Sequence, residues 1–311
     1  MFLVGYHVIG GEAHQGLKVI EGNYREVNDV LAYIRMPLFT FLSGLVYAYR
    51  PFNTGFIGYT KGKFRRLLVP MLVVGTVFIA TKSIVPGTNA TSFDWRYLHI
   101  ISVGHYWFIE ALFTIFIGVA VLEKFAFLAN KTKFSIVFIL SCLFFLSGFE
   151  IRYFALNGVM YLLPFFLLGV ATERFSLMTV IKPSLGYLLL IGVFISLYLI
   201  LSDFITLQDK RSFDGLVIGS IFCCAILAIN LKVNLLAKIG VFSYTIYLYH
   251  VFFTAGTRIF LNKLGLTDIN IVFVLSLLAG VFLPILVEHA FNKNNTTRLL
   301  FLGKSKIKLN D

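Results

Sequence analysis

Chemistry in this chain has to come from a few polar side chains placed where hydrocarbon is expected: His7, Arg35, Glu110, His250, Glu288 and His289. Such residues are costly inside a membrane, so each faces a cavity or a partner or lies near an interface. His7 lies in Val4-Gly5-Tyr6-His7-Val8-Ile9-Gly10, where small residues on either side admit a neighbouring element or a ligand. An imidazole takes up and returns a proton near neutral pH, which is what a hydroxyl attacking an acyl group requires. The alternative for His7 is a hydrogen-bonded packing role near the outer interface.

The other candidates have the same two-sided character. Arg35 opens Arg35-Met36-Pro37-Leu38-Phe39-Thr40-Phe41-Leu42-Ser43-Gly44, in which Pro37 frees a carbonyl and Ser43-Gly44 offers a small face for close helix contact. Arg35 either serves a substrate or snorkels to the outer interface. Lys61, Lys63, Arg65 and Arg66 crowd an inner loop ahead of Pro70; they suit phosphates, of lipid or of a cofactor, or act as a topology anchor. In His105-Tyr106-Trp107-Phe108-Ile109-Glu110 the aromatics suit an interface, while Glu110 lacks a local cation and needs a tertiary partner such as Arg35 or a histidine. The hydroxyls of residues 243–249, Tyr247 among them, and His250 form a polar stripe. Glu288 and His289, near the inner end of the last span, are expected to be solvated at the interface.

The elements that must position these residues are membrane helices. Hydrophobic residues make up 58% of the 311 and charged residues only 14%, with a mean hydropathy of +0.86. A soluble core of that size would carry more charge. Apolar runs predict about ten spans, at roughly 1–11, 31–49, 67–85, 105–122, 134–149, 153–172, 184–202, 213–230, 239–260 and 270–291. The expected fold is therefore all-α, a polytopic helical bundle forming one membrane domain over residues 1–311. Its first span is too short to cross and reads as the outer half of a truncated helix rather than a signal peptide.

Charge orients the bundle. With the 50–66 connection inside, inner segments hold 17 basic residues and outer segments 9. That asymmetry obeys the positive-inside rule and predicts a cytoplasmic C-terminus with a basic tail from about 293 to 311. The net charge of +12 needs no nucleic-acid partner, because a rim facing lipid headgroups accounts for it. Cys142, Cys223 and Cys224 fall in predicted spans without ligand spacing, so they read as packing residues and no metal site is expected. Asn89-Ala90-Thr91 fits a glycosylation sequon that matters only in a eukaryotic secretory pathway.

In chain order come an early helix ending in His7, Met36-Pro37-Leu38-Phe39 with Ser43-Gly44, Lys63-Phe64-Arg65-Arg66-Leu67-Leu68-Val69-Pro70, Tyr106-Trp107-Phe108, and Leu163-Pro164-Phe165-Phe166-Leu167-Leu168-Gly169. Gly240-Val241-Phe242-Ser243-Tyr244-Thr245-Ile246-Tyr247-Leu248-Tyr249-His250 completes the series. Each motif is weak alone. Their order across residues 1–250, on a ten-helix frame, resembles the acyltransferase-3 family of bacterial membrane O-acyltransferases, closest to single-domain members that acetylate surface sugars.

The resemblance implies a multi-pass protein of the bacterial cytoplasmic membrane. It carries over His7 as general base or acyl relay, Lys63 and Arg66 as the basic pair that engages acyl-coenzyme A, with Arg65 adding charge between them, and Trp107 and His250 as residues that shape the site. Arg35 is a candidate for oxyanion stabilisation. Acetyl-coenzyme A is the implied donor substrate, no cofactor is held permanently, and the acceptor is a glycan or lipid-linked sugar. The family's basic residue eleven positions before the first-helix histidine would fall before Met1. Direct transfer and a covalent acyl intermediate both remain open. A transporter or flippase of lipid-linked sugar, built from similar material, is the rival reading, although no internal repeat supports it. A non-catalytic subunit of a polysaccharide-assembly complex is a third.

Overall fold

The computed structural model describes residues 1–52, 55–88, 93–177, 182–206 and 208–305. Apart from one isolated bridge between Leu98 and Ile101, the described residues contain helices and connections and no strand. In order the helices are α1 (Phe2–Ile9), α2 (Asn23–Val30), α3 (Ala32–Tyr49), α4 (Phe56–Lys63), α5 (Val69–Ile84), α6 (Trp107–Lys124), α7 (Lys131–Leu146), α8 (Leu156–Arg174), α9 (Pro183–Leu201), α10 (Phe213–Ile229), α11 (Asn234–Gly240), α12 (Ser243–Lys263), α13 (Ile269–Phe291) and α14 (Asn295–Leu302). A π-helical turn, Phe64–Leu68, joins α4 to α5.

Helices are forced by composition: hydrocarbon offers no partner to backbone N–H and C=O groups, so apolar segments satisfy them internally. Polar residues start several of them. Asn130 accepts from the Lys133 N–H, Ser212 from Gly215, Asp268 from Asn270 and Ile271, and Asn294 from Thr296. Five helical segments are long and apolar enough to cross a membrane, or up to seven when two bent helix pairs are each counted as a span. Outward faces are apolar too: Leu188, Ile191, Ile195 and Tyr198 form an exposed stripe along α9, as a lipid-facing surface requires.

Each of the ten apolar stretches contains helix, but three features depart from expectation. The basic 56–66 stretch is helical, because Lys and Arg are good helix formers and no proline interrupts it between Pro51 and Pro70. The ninth stretch breaks into α11 and α12 at Val241 and Phe242. Polar α2 and α14 have no long apolar run to announce them. The sequon at Asn89, like Lys306 and Lys308, lies outside the described residues.

The chain folds as two compact units: one of Met1–Asn28, Gly62–Ile109 and Val233–Asp311, the other of Asp29–Lys61 and Glu110–Lys232. In the second unit α3 packs along α8, α10 lies on α3 and α9, and α7 lies on α8. Closeness of α3 and α8 depends on glycine: a Cβ at Gly44 would meet the Phe166 carbonyl, and one at Gly169 the Phe41 carbonyl. Its core gathers Tyr33, Ile34, Val193, Leu197 and Phe222. Arg211 donates to the carbonyls of Phe144, Phe145 and Phe149 at 2.9–3.1 Å, closing the end of α7, and Arg174 pairs with Glu123.

In the first unit α12 and α13 form a long pair, α1 packs on both, and α14 packs on α5. Gly280 lets the elements converge: a Cβ there would lie 2.5 Å from Thr254 and 2.7 Å from Val4. Val4, Ile246 and Val281 are the buried contacts at that junction. Beyond α1, the Gly10 carbonyl accepts from Arg25 at 3.0 Å and Asn28 at 3.2 Å, and the Leu17 N–H serves the Val8 and Ile9 carbonyls. These bonds satisfy carbonyls that a helix end otherwise leaves without partners.

Candidate active site

Three histidines from distant parts of the sequence meet in the first unit. Packing of Val4 against α12 and α13 brings His7 to them, one helical turn along the same face of α1. His250 lies on α12, one turn beyond Tyr247. His105 belongs to the short 3₁₀ turn Gly104–Tyr106. The ring centroids are 5.3 Å apart for His7 and His105, 4.9 Å for His7 and His250, and 4.9 Å for His105 and His250. His105 and His250 are buried, while His7 retains partial exposure.

Backbone carbonyls orient the two buried rings. His105 Nε2 lies 3.2 Å from the Tyr247 carbonyl, which can only accept, so that nitrogen carries the proton. Tyr247 donates its phenolic hydrogen to the His105 carbonyl, and Tyr106 donates to the Leu248 carbonyl at 2.8 Å. Thus the 104–106 turn is stitched to α12 by three bonds. Phe78 packs edge-on against His105 and Tyr6 against His7, while Phe108 lies tilted against Tyr247, so the cluster is walled with aromatic surface.

Lys63, Arg65 and Arg66 occupy the same unit, while Lys61 belongs to the second. Arg65 and Arg66 ride on the π-helical turn, a distortion that often marks functional positions, and Lys63 precedes it at the end of α4. Arg65 Nε is buried with no hydrogen-bond partner among the described residues. Two elements hold the turn. Tyr244 at the start of α12 donates to the Leu67 carbonyl at 2.9 Å. Gly303, after α14, fits against the turn so closely that a Cβ there would lie 2.7 Å from the carbonyls of both Arg65 and Arg66. Its φ of 64° is a conformation that favours glycine. Tyr244 and His250 are six residues apart on α12, about 9 Å along its axis, so one rigid rod ties the basic turn to the histidines.

Glu288 departs from its expected interfacial solvation. It is buried, accepts from the Thr245 hydroxyl at 2.5 Å, and pairs with Lys304 Nζ at 2.5 Å. His289 is exposed, with Nδ1 2.7 Å from the Ile285 carbonyl. The cluster brings together His7, Tyr247 and His250; Trp107 stands at the start of α6 with its ring 6.2 Å from Phe108. Arg35, Ser43 and Glu110 belong to the second unit. There Arg35 is 4% exposed, so it does not snorkel, and Ser43 Oγ donates to the Phe39 carbonyl at 2.9 Å within its own helix. Glu110 is buried in the first turn of α6, where a carboxylate suits the helix dipole.

Neither His105 nor Lys304 stands out in the sequence. His105 stands at the edge of an apolar run and so escapes a search for polar residues at hydrocarbon depth; its signal was being next to the Tyr-Trp-Phe motif. His99 is hidden in the sequence for the same reason. Thr76 Oγ1 donates to the Leu72 carbonyl at 2.8 Å and so accepts from His99 Nε2 at 3.0 Å. Burial holds this imidazole below the ordinary histidine range. Among the described residues no set of three His, Cys, Asp or Glu side chains is placed to hold a metal ion. In the histidine cluster, His105 Nε2 and His250 Nδ1 are turned to backbone carbonyls instead.

The arrangement sets three imidazoles in the same unit as a turn that carries two guanidinium groups. A family model described as an acyltransferase domain matches residues 1–289, a range that includes the three histidines and the basic turn. No curated protein and no solved structure matches the chain.

Proposed function

The chain belongs to the acyltransferase-3 family, and from that premise we propose that it moves an acetyl group from cytoplasmic acetyl-coenzyme A to a hydroxyl of a cell-surface polysaccharide or its lipid-linked precursor, with His7 as general base. That it is an acyltransferase with several helices able to span a membrane follows from the family and the fold. Donor, acceptor and base are the proposal. The observation that carries it is the convergence of His7, His105 and His250 in the same unit as the Arg65–Arg66 turn.

Transfer to a hydroxyl requires the hydroxyl proton to leave as the new carbon–oxygen bond forms and the carbon–sulfur bond breaks. A placed imidazole contributes roughly 10²–10⁴-fold to such a step. His7, the least enclosed of the three, is the one an acceptor reaches. Lys63, Arg65 and Arg66 supply cationic donors for the phosphates of the coenzyme. Charge asymmetry supports a cytoplasmic location for this turn, in a bacterial inner membrane. The same chemistry is served by direct attack in one cavity or by a covalent acyl-histidine.

The experiment is transfer of radiolabelled acetyl from acetyl-coenzyme A into glycan by membranes containing the protein or its His7→Ala variant. Incorporation that disappears in His7→Ala at equal expression is the expected result. Undiminished incorporation in that variant defeats the assignment of the base, and no incorporation by the unaltered protein defeats the assignment of donor and acceptor.

A further inference from the structure

Both ring nitrogens of His250 have assignable states. Nδ1 lies 2.9 Å from the Ile246 carbonyl and 2.8 Å from the Tyr247 carbonyl. Carbonyl oxygens only accept, so Nδ1 carries the proton and, in the neutral ring, Nε2 carries the lone pair. Nε2 is buried with no hydrogen-bond partner among the described residues. An acceptor left bare in a protein interior costs about 1–3 kcal/mol, and buried polar atoms without partners are uncommon enough to call for a reason. The rings of His7 and His105 each lie 4.9 Å from that of His250, centroid to centroid, and His105 Nε2 is already committed to the Tyr247 carbonyl; His250 itself stands on a helix locked in place by the Tyr244, Thr245 and Tyr247 bonds.

We propose that His250 is a second proton-carrying residue of this centre, taking the proton that His7 removes from the acceptor hydroxyl. The inference rests on the acyltransferase reading. As the acceptor oxygen bonds to the acyl carbon, its proton passes to His7. A rotation of the His7 ring, whose centroid lies 4.9 Å from that of His250, brings its N–H within reach of Nε2, which accepts the proton and becomes an imidazolium. When the carbon–sulfur bond breaks, the thiolate leaves with the electron pair and takes the proton, so coenzyme A departs as the thiol and both histidines return to neutral. The two carbonyls that fix Nδ1–H also stabilise the transient cation, because both oxygens face the positive ring.

The test is His250→Asn, whose amide can donate to the same carbonyls but takes up no proton. Purified protein in detergent is assayed for acetyl transfer, for KM toward acetyl-coenzyme A, and for rescue by added imidazole. Expected are a kcat lower by about a hundredfold or more, an unchanged KM, and partial recovery with imidazole, which a purely structural role would not show. If H250N fails to accumulate, H250Q, polar and likewise unable to titrate, gives the same reading. A variant that keeps turnover within a few-fold of the unaltered protein, while His7→Ala is inactive, overturns the role of His250 and leaves the acyltransferase reading standing. Loss of turnover without imidazole rescue and with a raised KM likewise overturns it in favour of site shaping. No transfer by the unaltered protein removes both.

Discussion

Tyr247 and His105 hold each other through two reciprocal bonds: the phenol donates to the His105 carbonyl, and the His105 ring donates to the Tyr247 carbonyl at 3.2 Å. These residues are 142 positions apart, so the pair joins the turn before α6 to α12. Replacing Tyr247 by Phe keeps the aromatic packing but strands a buried carbonyl, at a cost of about 1–3 kcal/mol. Thermal unfolding in detergent should register that loss. Turnover should fall on the order of tenfold, because misplacing a catalytic ring by less than an ångström is enough to slow transfer.

Gly303 is expected to control donor binding from outside the cluster. Gly303→Val combines a left-handed backbone, disfavoured for a β-branched residue by about 1–2 kcal/mol, with a Cβ pressed on the carbonyls of Arg65 and Arg66. Steady-state kinetics should show KM for the acyl donor raised several-fold with a smaller change in kcat. An effect on kcat alone would separate this segment from donor binding.

The Glu288–Lys304 pair predicts a coupling. Glu288 is buried, while the Lys304 side chain is 38% exposed, so solvent screens the interaction. Lys304→Met should destabilise the protein by about 1–2 kcal/mol by leaving a buried carboxylate that still accepts from Thr245 but has lost its cation. Adding Glu288→Gln should recover part of that loss. A double-mutant cycle on the unfolding midpoints measures the coupling, which should be clearly non-zero.

Acid should act through His99. Burial lowers its pKa in the folded protein, so below the ordinary histidine value of about 6.5 the unfolded chain binds more protons than the folded one. Stability contributed by the neutral ring is present above that pH and is lost as pH falls below it. Unfolding followed from pH 7.5 to 5 should therefore depend less on pH in His99→Asn than in the unaltered protein.

The sequence by itself determined the helical class, the family and most of the candidate residues, and it did so through local signals. Apolar runs leave the backbone no option but helix, and the ordered motifs ending at His250 are strings of neighbours that can be read without a fold. Basic residues 61–66 were legible as a cluster, although not as a helix with a π turn, because hydropathy is blind to polar helices. Tertiary structure alone decided which residues form a site. Gly280 leaves room for α1 to approach α12 and α13, bonds to Tyr247 and Leu248 hold the His105 turn against α12, and Arg35 and Glu110 belong to the second unit. The burial of Glu288 likewise depends on Thr245 and Lys304. Hydrogen bonds between residues more than a hundred positions apart leave no periodic trace in the chain, so the partner of a buried polar group can be read only after packing has chosen it.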